Sequence, residues 1–130
     1  MQILIDTHIL LWAIGDSGRL SSSVHELLTN TNNQVYVSVA SIWEIVIKNA
    51  LAKDCFQVDV EKIIETVFKM DFIELPISIS ISHAKTVATL ESIHKDPFDR
   101  ILIAQTISEK MLFLTNDKIL VGYSPLVHLI

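Results

Sequence analysis

The sequence predicts an α/β fold: a three-layer α/β/α sandwich around a central, mainly parallel sheet of four to five strands. Short apolar runs alternate along the chain with helical segments, an order typical of parallel strands with helices on both faces. Half of the 130 residues are hydrophobic, while glycine and proline occur only three times each, as in a chain rich in regular elements. This length suits a single domain over residues 1–130.

The first quarter of the chain predicts two strands and two helices. Residues 3–5, with Met1, form an apolar run typical of a strand buried on both faces. A helix is expected over residues 8–14, where Gly15 closes it. A second helix over residues 22–29 begins with a capping box, Ser23 to Glu26. Residues 35–37 are the second strand.

The next two helices form a predicted hairpin at about residues 38–69, which we interpret as a protruding arm or a dimer surface. Ser38 caps a helix to about residue 52, and Asp59 caps another that ends near residue 69. The pattern places apolar side chains on one inward face of each helix. These are Val39, Ile42, Trp43, Val46 and Ala50 on the first helix and Ile63, Ile64, Val67 and Phe68 on the second.

The rest of the chain continues the alternation. Residues 72–75 predict a third strand, which Pro76 ends. Isoleucine and serine alternate over residues 77–82, and we interpret this stretch as an extended entry to a helix from Ser80 or Ser82 to residue 92. Asp96 then caps a buried helix to residue 110, with Pro97 at its first position. Residues 112–114 are the fourth strand, and residues 126–130 a last edge strand.

Bulk properties narrow the class of protein. Cys55 is the single cysteine, so we expect a reducing, cytoplasmic location without disulfides. No run approaches the roughly 20 apolar residues of a membrane span, and no basic segment precedes the apolar N-terminal stretch. The net charge of −5 disfavours nucleic-acid binding through a general basic surface.

Five acids fall where predicted strands meet helices. Asp6 follows the first strand, Asp117 follows the fourth, Glu44 lies two turns into a helix, and Asp96 and Asp99 begin the buried helix. Taken singly, the aspartates are also good helix caps, and Glu44 could pair with Lys48 on a solvated face. In a parallel sheet, however, ligands bind beyond the carboxyl ends of the strands, so we expect all five acids to share one pocket.

Such a pocket needs a cation, because neighbouring carboxylates raise one another's pKa. Oxygen ligands suit Mg²⁺ or Mn²⁺, which activates water and binds phosphate, so the set predicts a phosphodiesterase. We expect Asp6, Asp99 and Asp117 to bind the metal, and Glu44 and Asp96 to bind it directly or through water. His8 and His94 are expected to form local hydrogen bonds instead. Candidate substrate-binding residues are Thr7, Lys48, Arg100, Thr115 and Asn116, although Lys48 and Arg100 could merely balance the acids.

Four motifs together resemble the PIN-domain family and, within it, the VapC-like toxins of type II toxin–antitoxin systems. They are residues 5–12 (IDTHILLW), 41–45 (SIWEI) with Lys48, 94–105 (HKDPFDRILIAQ) and 115–117 (TND). The resemblance implies an α/β/α sandwich with Mg²⁺- or Mn²⁺-dependent endoribonuclease activity. It matches the family's acidic positions to Asp6, Glu44, Asp99 and Asp117, with Asp96 as an extra acid. One departure is Ala52, where relatives often have glycine.

The resemblance also implies partners: an RNA substrate, a second copy in a homodimer, and a cognate antitoxin whose tail enters the acidic groove. Two alternatives stay open at the level of sequence. A phosphorylated receiver domain also clusters acids around Mg²⁺, but it needs two adjacent acids after the first strand, where this chain has Asp6 alone. A non-catalytic PIN-like module could instead use the acidic groove to bind a basic partner peptide.

Overall fold

The computed structural model describes residues 1–51, 58–71, 73–74 and 76–130. Within these ranges the sheet has four strands: β1 (Gln2–Ile5), β2 (Gln34–Val37), β3 (Leu112–Thr115) and β4 (Val127–Leu129). Their order is β2-β1-β3-β4, and every neighbouring pair is parallel. The predicted α/β class with a central parallel sheet is therefore confirmed.

Six α-helices surround the sheet in the part of the chain that the structure describes. They are α1 (Thr7–Gly15), α2 (Ser22–Thr29), α3 (Val39–Ala50), α4 (Val60–Lys69), α5 (Ile81–Val87) and α6 (Pro97–Glu109). Short 3-10 helices cover Ser17–Arg19 and Leu120–Tyr123. Helices α3 and α4 pack against each other, although residues 52–57 of their connection lie outside the described ranges. No helix within those ranges has both the length and the apolar character needed to cross a membrane.

The sheet is buried on both faces, because successive side chains of a strand point to opposite sides. Ile3 and Ile5 belong to one core cluster, whereas Leu4 between them belongs to the other. All three side chains are fully buried. The short apolar run at the N-terminus thus forms a strand covered by helices on both faces, as its composition predicts.

Side-chain caps determine where most helices begin. Ser38, Asp59 and Asp96 cap α3, α4 and α6, as predicted. Helix α2 spans the predicted residues, but the capping box at Ser23 is wrong: the cap is Ser21, whose Oγ accepts from the backbone N–H of Val24 at 3.4 Å. Ser23 therefore lies inside the first turn, where it cannot act as the N-cap.

The segment before α6 differs from the prediction in two places. Residues 72 and 75 of the predicted third strand lie outside the described residues, and Ile73 and Ile77 each form a single parallel bridge to the β2 edge. Helix α5 begins at Ile81, between the two predicted starting points, with Ser80 as its cap, but it ends at Val87, not at residue 92. The Arg100 guanidinium donates to the Val87 carbonyl oxygen at 3.2 Å, so a side chain satisfies a helix-end acceptor there.

Helix α3 turns a different face inward from the one predicted. Trp43, expected in the core, is 55% exposed, and Val39 and Val46 are also exposed. The buried face instead includes Glu44 and Ile45. The contacts involved are tertiary: in this rotation Glu44 accepts from the Thr7 hydroxyl and pairs with Lys48, so its buried carboxylate has partners.

Helix α4 is partly as predicted. Ile63 and Val67 are buried, whereas Phe68, also expected to face inward, is 62% exposed. Trp12 of α1 packs against the core. The exposed aromatic residues at positions 43 and 68 thus leave apolar surface on the helical hairpin.

Candidate metal centre

The five acids lie together at the carboxyl end of β1, which has β2 on one side and β3 on the other. The chain passes from β1 to β2 on one side, and β3 lies on the other side of β1. Such a switch point leaves a crevice at the carboxyl ends of the strands. Asp6 follows β1 and Asp117 follows β3, and the Asp6 N–H donates to the Leu114 carbonyl oxygen at 3.0 Å. The first and last predicted acids thus lie at adjacent strand ends.

Two helices bring the other three acids to the same crevice. Glu44 lies on the inward face of α3, and Asp96 and Asp99 lie at the N-terminus of α6, which packs against α3. The Asp96 Oδ1 accepts from the N–H groups of Phe98 at 2.8 Å and Asp99 at 3.4 Å, so the cap orients the first turn. All five predicted acids line one open cleft of about 570 Å³.

Asp6 is the most constrained acid of the cleft. The residue is 3% exposed, and its carboxylate accepts from the Thr7 N–H at 2.6 Å and from the Thr115 hydroxyl at 2.5 Å. Burial raises the pKa of Asp6, and these two hydrogen bonds only partly oppose that effect. The side chain is therefore fixed in orientation but is costly to keep ionised without a cation.

Replacing Thr115 by valine is expected to lower the free energy of unfolding by about 1–3 kcal/mol, because a buried carboxylate loses a donor. Valine keeps the shape and suits a strand, so packing should change little. Thr29→Val is the matched control: its exposed hydroxyl donates to the His25 carbonyl of its own helix, and we expect a change below about 0.5 kcal/mol. Urea unfolding of both variants measures the difference, and equal losses would contradict the prediction.

Glu44 is a buried acid with two partners. It is 3% exposed, its Oε1 accepts from the Thr7 hydroxyl at 2.6 Å, and its Oε2 forms an ion pair with Lys48 Nζ at 2.6 Å. The Glu44–Lys48 pair that the sequence suggested therefore forms, but within the cleft wall and not on a fully solvated face. Thr7 connects α1 to α3 through this bond.

Asp99 carries the clearest electrostatic signature. Burial, together with the charges of Asp6, Asp96, Glu44 and Asp117, raises the pKa of Asp99 from 3.8 to about 8. Without a cation, this carboxyl keeps its proton at neutral pH. The ligands offered are carboxylate oxygens, which fit Mg²⁺ or Mn²⁺, and a divalent cation would remove the repulsion that raises this pKa.

His94 is a cleft residue that sequence reasoning underestimated. Its Nδ1 accepts from the Asp96 N–H at 3.0 Å, the kind of local bond expected. Its Nε2, however, lies 3.5 Å from an Asp99 oxygen and 3.4 Å from an Asp117 oxygen. Potential ligand atoms of these three residues lie within 4.8 Å of one another. The sequence signal that could have placed His94 in the cleft is its position two residues before Asp96, the N-cap acid of α6.

The predicted substrate-binding residues divide into two groups. Lys48 and Asn116 line the cleft, as do His8 and Lys118, which were not predicted as substrate contacts. The hydroxyls of Thr7 and Thr115 are instead bonded to the acids. Arg100 is not among the residues that line the cleft. Its guanidinium donates to the carbonyl of Val87 at the end of α5, to the carbonyl of Glu91 in the segment that follows, and to the Tyr123 hydroxyl.

Comparisons with known proteins agree with this geometry. A chain from the crystal structure of VapBC2 from Rickettsia felis, bound to a DNA fragment from their promoter, superposes with a TM-score of 0.69. The match covers 100% of this chain and 98% of that chain at 18% identity, which supports similarity of fold. No curated protein matches the chain. The model of the PIN domain matches residues 3–123, which include all five acids, and the chain therefore belongs to the PIN-domain family.

Proposed function

We propose that this protein is a divalent-cation-dependent endoribonuclease and the toxin of a toxin–antitoxin pair. The observation that supports it best is the cleft in which Asp6, Glu44 and Asp99 lie together, with the pKa of Asp99 raised to about 8. PIN domains are generally nucleases, and the structurally similar Rickettsia felis protein comes from a VapBC2 complex. A carboxylate cluster of this kind suits hydrolysis of a phosphodiester.

The proposed roles follow from the contacts of each side chain. Asp6, Glu44, Asp99 and Asp117 would hold Mg²⁺ or Mn²⁺, with Asp96 binding directly or through water. When bound, such a cation would lower the pKa of a water molecule and neutralise charge on the phosphate. The Thr7 and Thr115 hydroxyls orient Glu44 and Asp6.

Substrate contacts are proposed for the cationic and amide groups of the cleft. Lys48 and Asn116 line it, and Lys118 adds a second ammonium group. With an overall charge of −5, phosphate binding would depend on these few local donors and on the cation, not on a general basic surface. RNA as substrate, and cytoplasmic action, are part of this proposal.

Protein partners are also part of the proposal. The acidic cleft suits a basic segment of an antitoxin, which would inhibit the enzyme by occupying the site. Exposed apolar side chains, including Trp43 and Ile79 at the edge of an apolar groove of about 300 Å³, are compatible with association into a homodimer. Light scattering of the purified chain, alone and with the antitoxin, measures both associations.

The direct test is cleavage of RNA by the purified chain. We expect Mn²⁺-dependent cleavage that EDTA stops and that Asp6→Asn abolishes without unfolding the protein. Asp16→Asn is the matched control, because Asp16 is exposed at the far end of α1 and pairs with Arg19. Cleavage that persists in Asp6→Asn would refute the assignment. Tight Mn²⁺ binding without cleavage of any RNA would instead favour the non-catalytic module.

A further inference from the structure

The protonation of the His94 ring follows from one hydrogen bond. Nδ1 lies 3.0 Å from the backbone nitrogen of Asp96 and accepts its hydrogen. A backbone N–H can only donate, so Nδ1 carries no proton in this arrangement. In the neutral ring the proton is then on Nε2. The local bond at the start of α6 thus selects one tautomer.

The protonated nitrogen lies between two acids of the cleft. Nε2 is 3.5 Å from Asp99 Oδ2 and 3.4 Å from Asp117 Oδ2, slightly longer than a hydrogen bond to either. An N–H group at this place carries partial positive charge toward both carboxyl groups, and it lowers the repulsion between them when both are ionised. It also has no lone pair for a cation, because the proton occupies it.

The backbone of His94 is also held by hydrogen bonds. The His94 N–H donates to the Tyr123 hydroxyl oxygen at 2.7 Å, and Arg100 Nη1 donates to the same oxygen at 3.2 Å. Arg100 also donates to the Glu91 carbonyl oxygen at 2.9 Å. The segment between α5 and α6 is therefore fixed from two sides by residues that are not among those lining the cleft.

We propose that His94 is a positioning residue: its Nε2–H holds Asp99 and Asp117 in place, and Arg100 and Tyr123 keep the ring where it can do so. His94 is accordingly not a cation ligand, although its Nε2 lies close to two proposed ligands. Arg100 acts through the loop backbone and not by binding phosphate. The inference rests on the proposed nuclease function, since it assigns how two acids of that site are oriented.

The first test measures which nitrogen of the His94 ring carries the proton, and it does not require RNA. In the cation-free protein, ¹⁵N NMR of labelled histidine is expected to show a protonated Nε2 and an unprotonated Nδ1 for His94, assigned by its loss in His94→Gln. In the Mn²⁺-loaded protein, pulsed EPR is expected to show no nitrogen bonded directly to the ion. A protonated Nδ1, or a directly bound nitrogen that disappears in His94→Gln, overturns the proposal.

The second test uses Mg²⁺ affinity, measured by calorimetry. His94→Leu is expected to weaken binding by about 10–100-fold, as for other partners that orient metal ligands. His94→Gln keeps a side-chain N–H and should bind more tightly than His94→Leu. Tyr123→Phe should weaken binding less than His94→Leu, and Tyr36→Phe on β2 serves as its control. Equal affinity of His94→Leu and wild type overturns the proposal.

A double-variant cycle tests whether Tyr123 acts through His94. The combined His94→Leu and Tyr123→Phe protein is expected to bind Mg²⁺ no more weakly than His94→Leu alone, because the second change removes support for a ring already absent. If the losses of affinity in the two single variants multiply in the double variant, the coupling is overturned.

Failure of the nuclease proposal can be distinguished from failure of this inference. Wild-type protein that cleaves no RNA refutes the nuclease function, while the NMR result still decides which nitrogen of the His94 ring is protonated.

Discussion

Asp99→Asn is expected to abolish cation-dependent RNA cleavage and, at the same time, to stabilise the cation-free protein. The loss of activity should be on the order of 100-fold or more, since even residues that only orient metal ligands cost 10–100-fold. The gain in stability follows from the raised pKa of Asp99, because asparagine keeps the shape but never acquires the charge that its neighbours repel.

The sign of the stability change depends on pH. In the unfolded chain Asp99 ionises near 3.8, whereas in the fold its pKa is about 8, so the folded state holds the proton more tightly. This contribution to stability is complete at low pH and is lost as pH rises through the folded pKa. Relative to wild type, the gain of Asp99→Asn should therefore begin above about pH 4 and grow with pH, from on the order of 1 kcal/mol at pH 5 to on the order of 4–5 kcal/mol at pH 8.

Thermal unfolding in EDTA at pH 5, 7 and 8 measures this difference, and a cleavage assay in Mn²⁺ measures the activity. Asp16→Asn is again the control and should follow wild type in both, because its exposed carboxylate lies outside the cleft. An Asp99→Asn protein that is less stable than wild type at pH 8 would contradict the electrostatic account. One that cleaves RNA normally would remove Asp99 from the site.

Cation affinity is expected to rise steeply with pH. At neutral pH most Asp99 carboxyls carry a proton, and a cation must displace it before the carboxylate can bind. The apparent affinity for Mg²⁺ should therefore increase about tenfold per pH unit between pH 6 and 8 and level off above the pKa. The raised pKa of Asp6 acts in the same direction.

Calorimetry at pH 6, 7, 8 and 9 measures this dependence. Each pH is measured in two buffers that differ in ionisation enthalpy, so that the protons released on binding are counted. Close to one proton per ion is expected at pH 7, and little at pH 9. A pH-independent affinity between pH 6 and 8 would mean that Asp99 is already ionised without a cation, against the electrostatics of the cleft.

Local chemistry made most of the secondary structure predictable. Helix caps at Ser38, Asp59 and Asp96 are readable because a side-chain oxygen satisfies N–H groups within three residues of itself. The buried strands are readable because a strand covered on both faces has a continuous apolar run, as at residues 3–5. These signals depend only on near neighbours in the chain.

The rotation of α3 was not predictable in the same way. The apolar pattern favoured burying Trp43, yet the structure buries Glu44 and leaves more than half of Trp43 exposed. The contacts that decide this come from Thr7, distant in sequence, and from Lys48 one turn away. A hydrophobic pattern depends on the polarity of each side chain alone. It contains no information about a partner distant in sequence, whose hydrogen bond lowers the cost of burying an acid.

The sequence by itself determined the α/β class, the parallel sheet and the candidacy of five acids at element junctions, because each of these follows from periodicity, caps and chain order. Only the tertiary structure decided that the acids share one cleft, that the pKa of Asp99 is raised to about 8, and that the Nε2 of His94 lies between Asp99 and Asp117. Electrostatic coupling depends on distance in space and on burial, and neither is readable until the strands have been placed side by side.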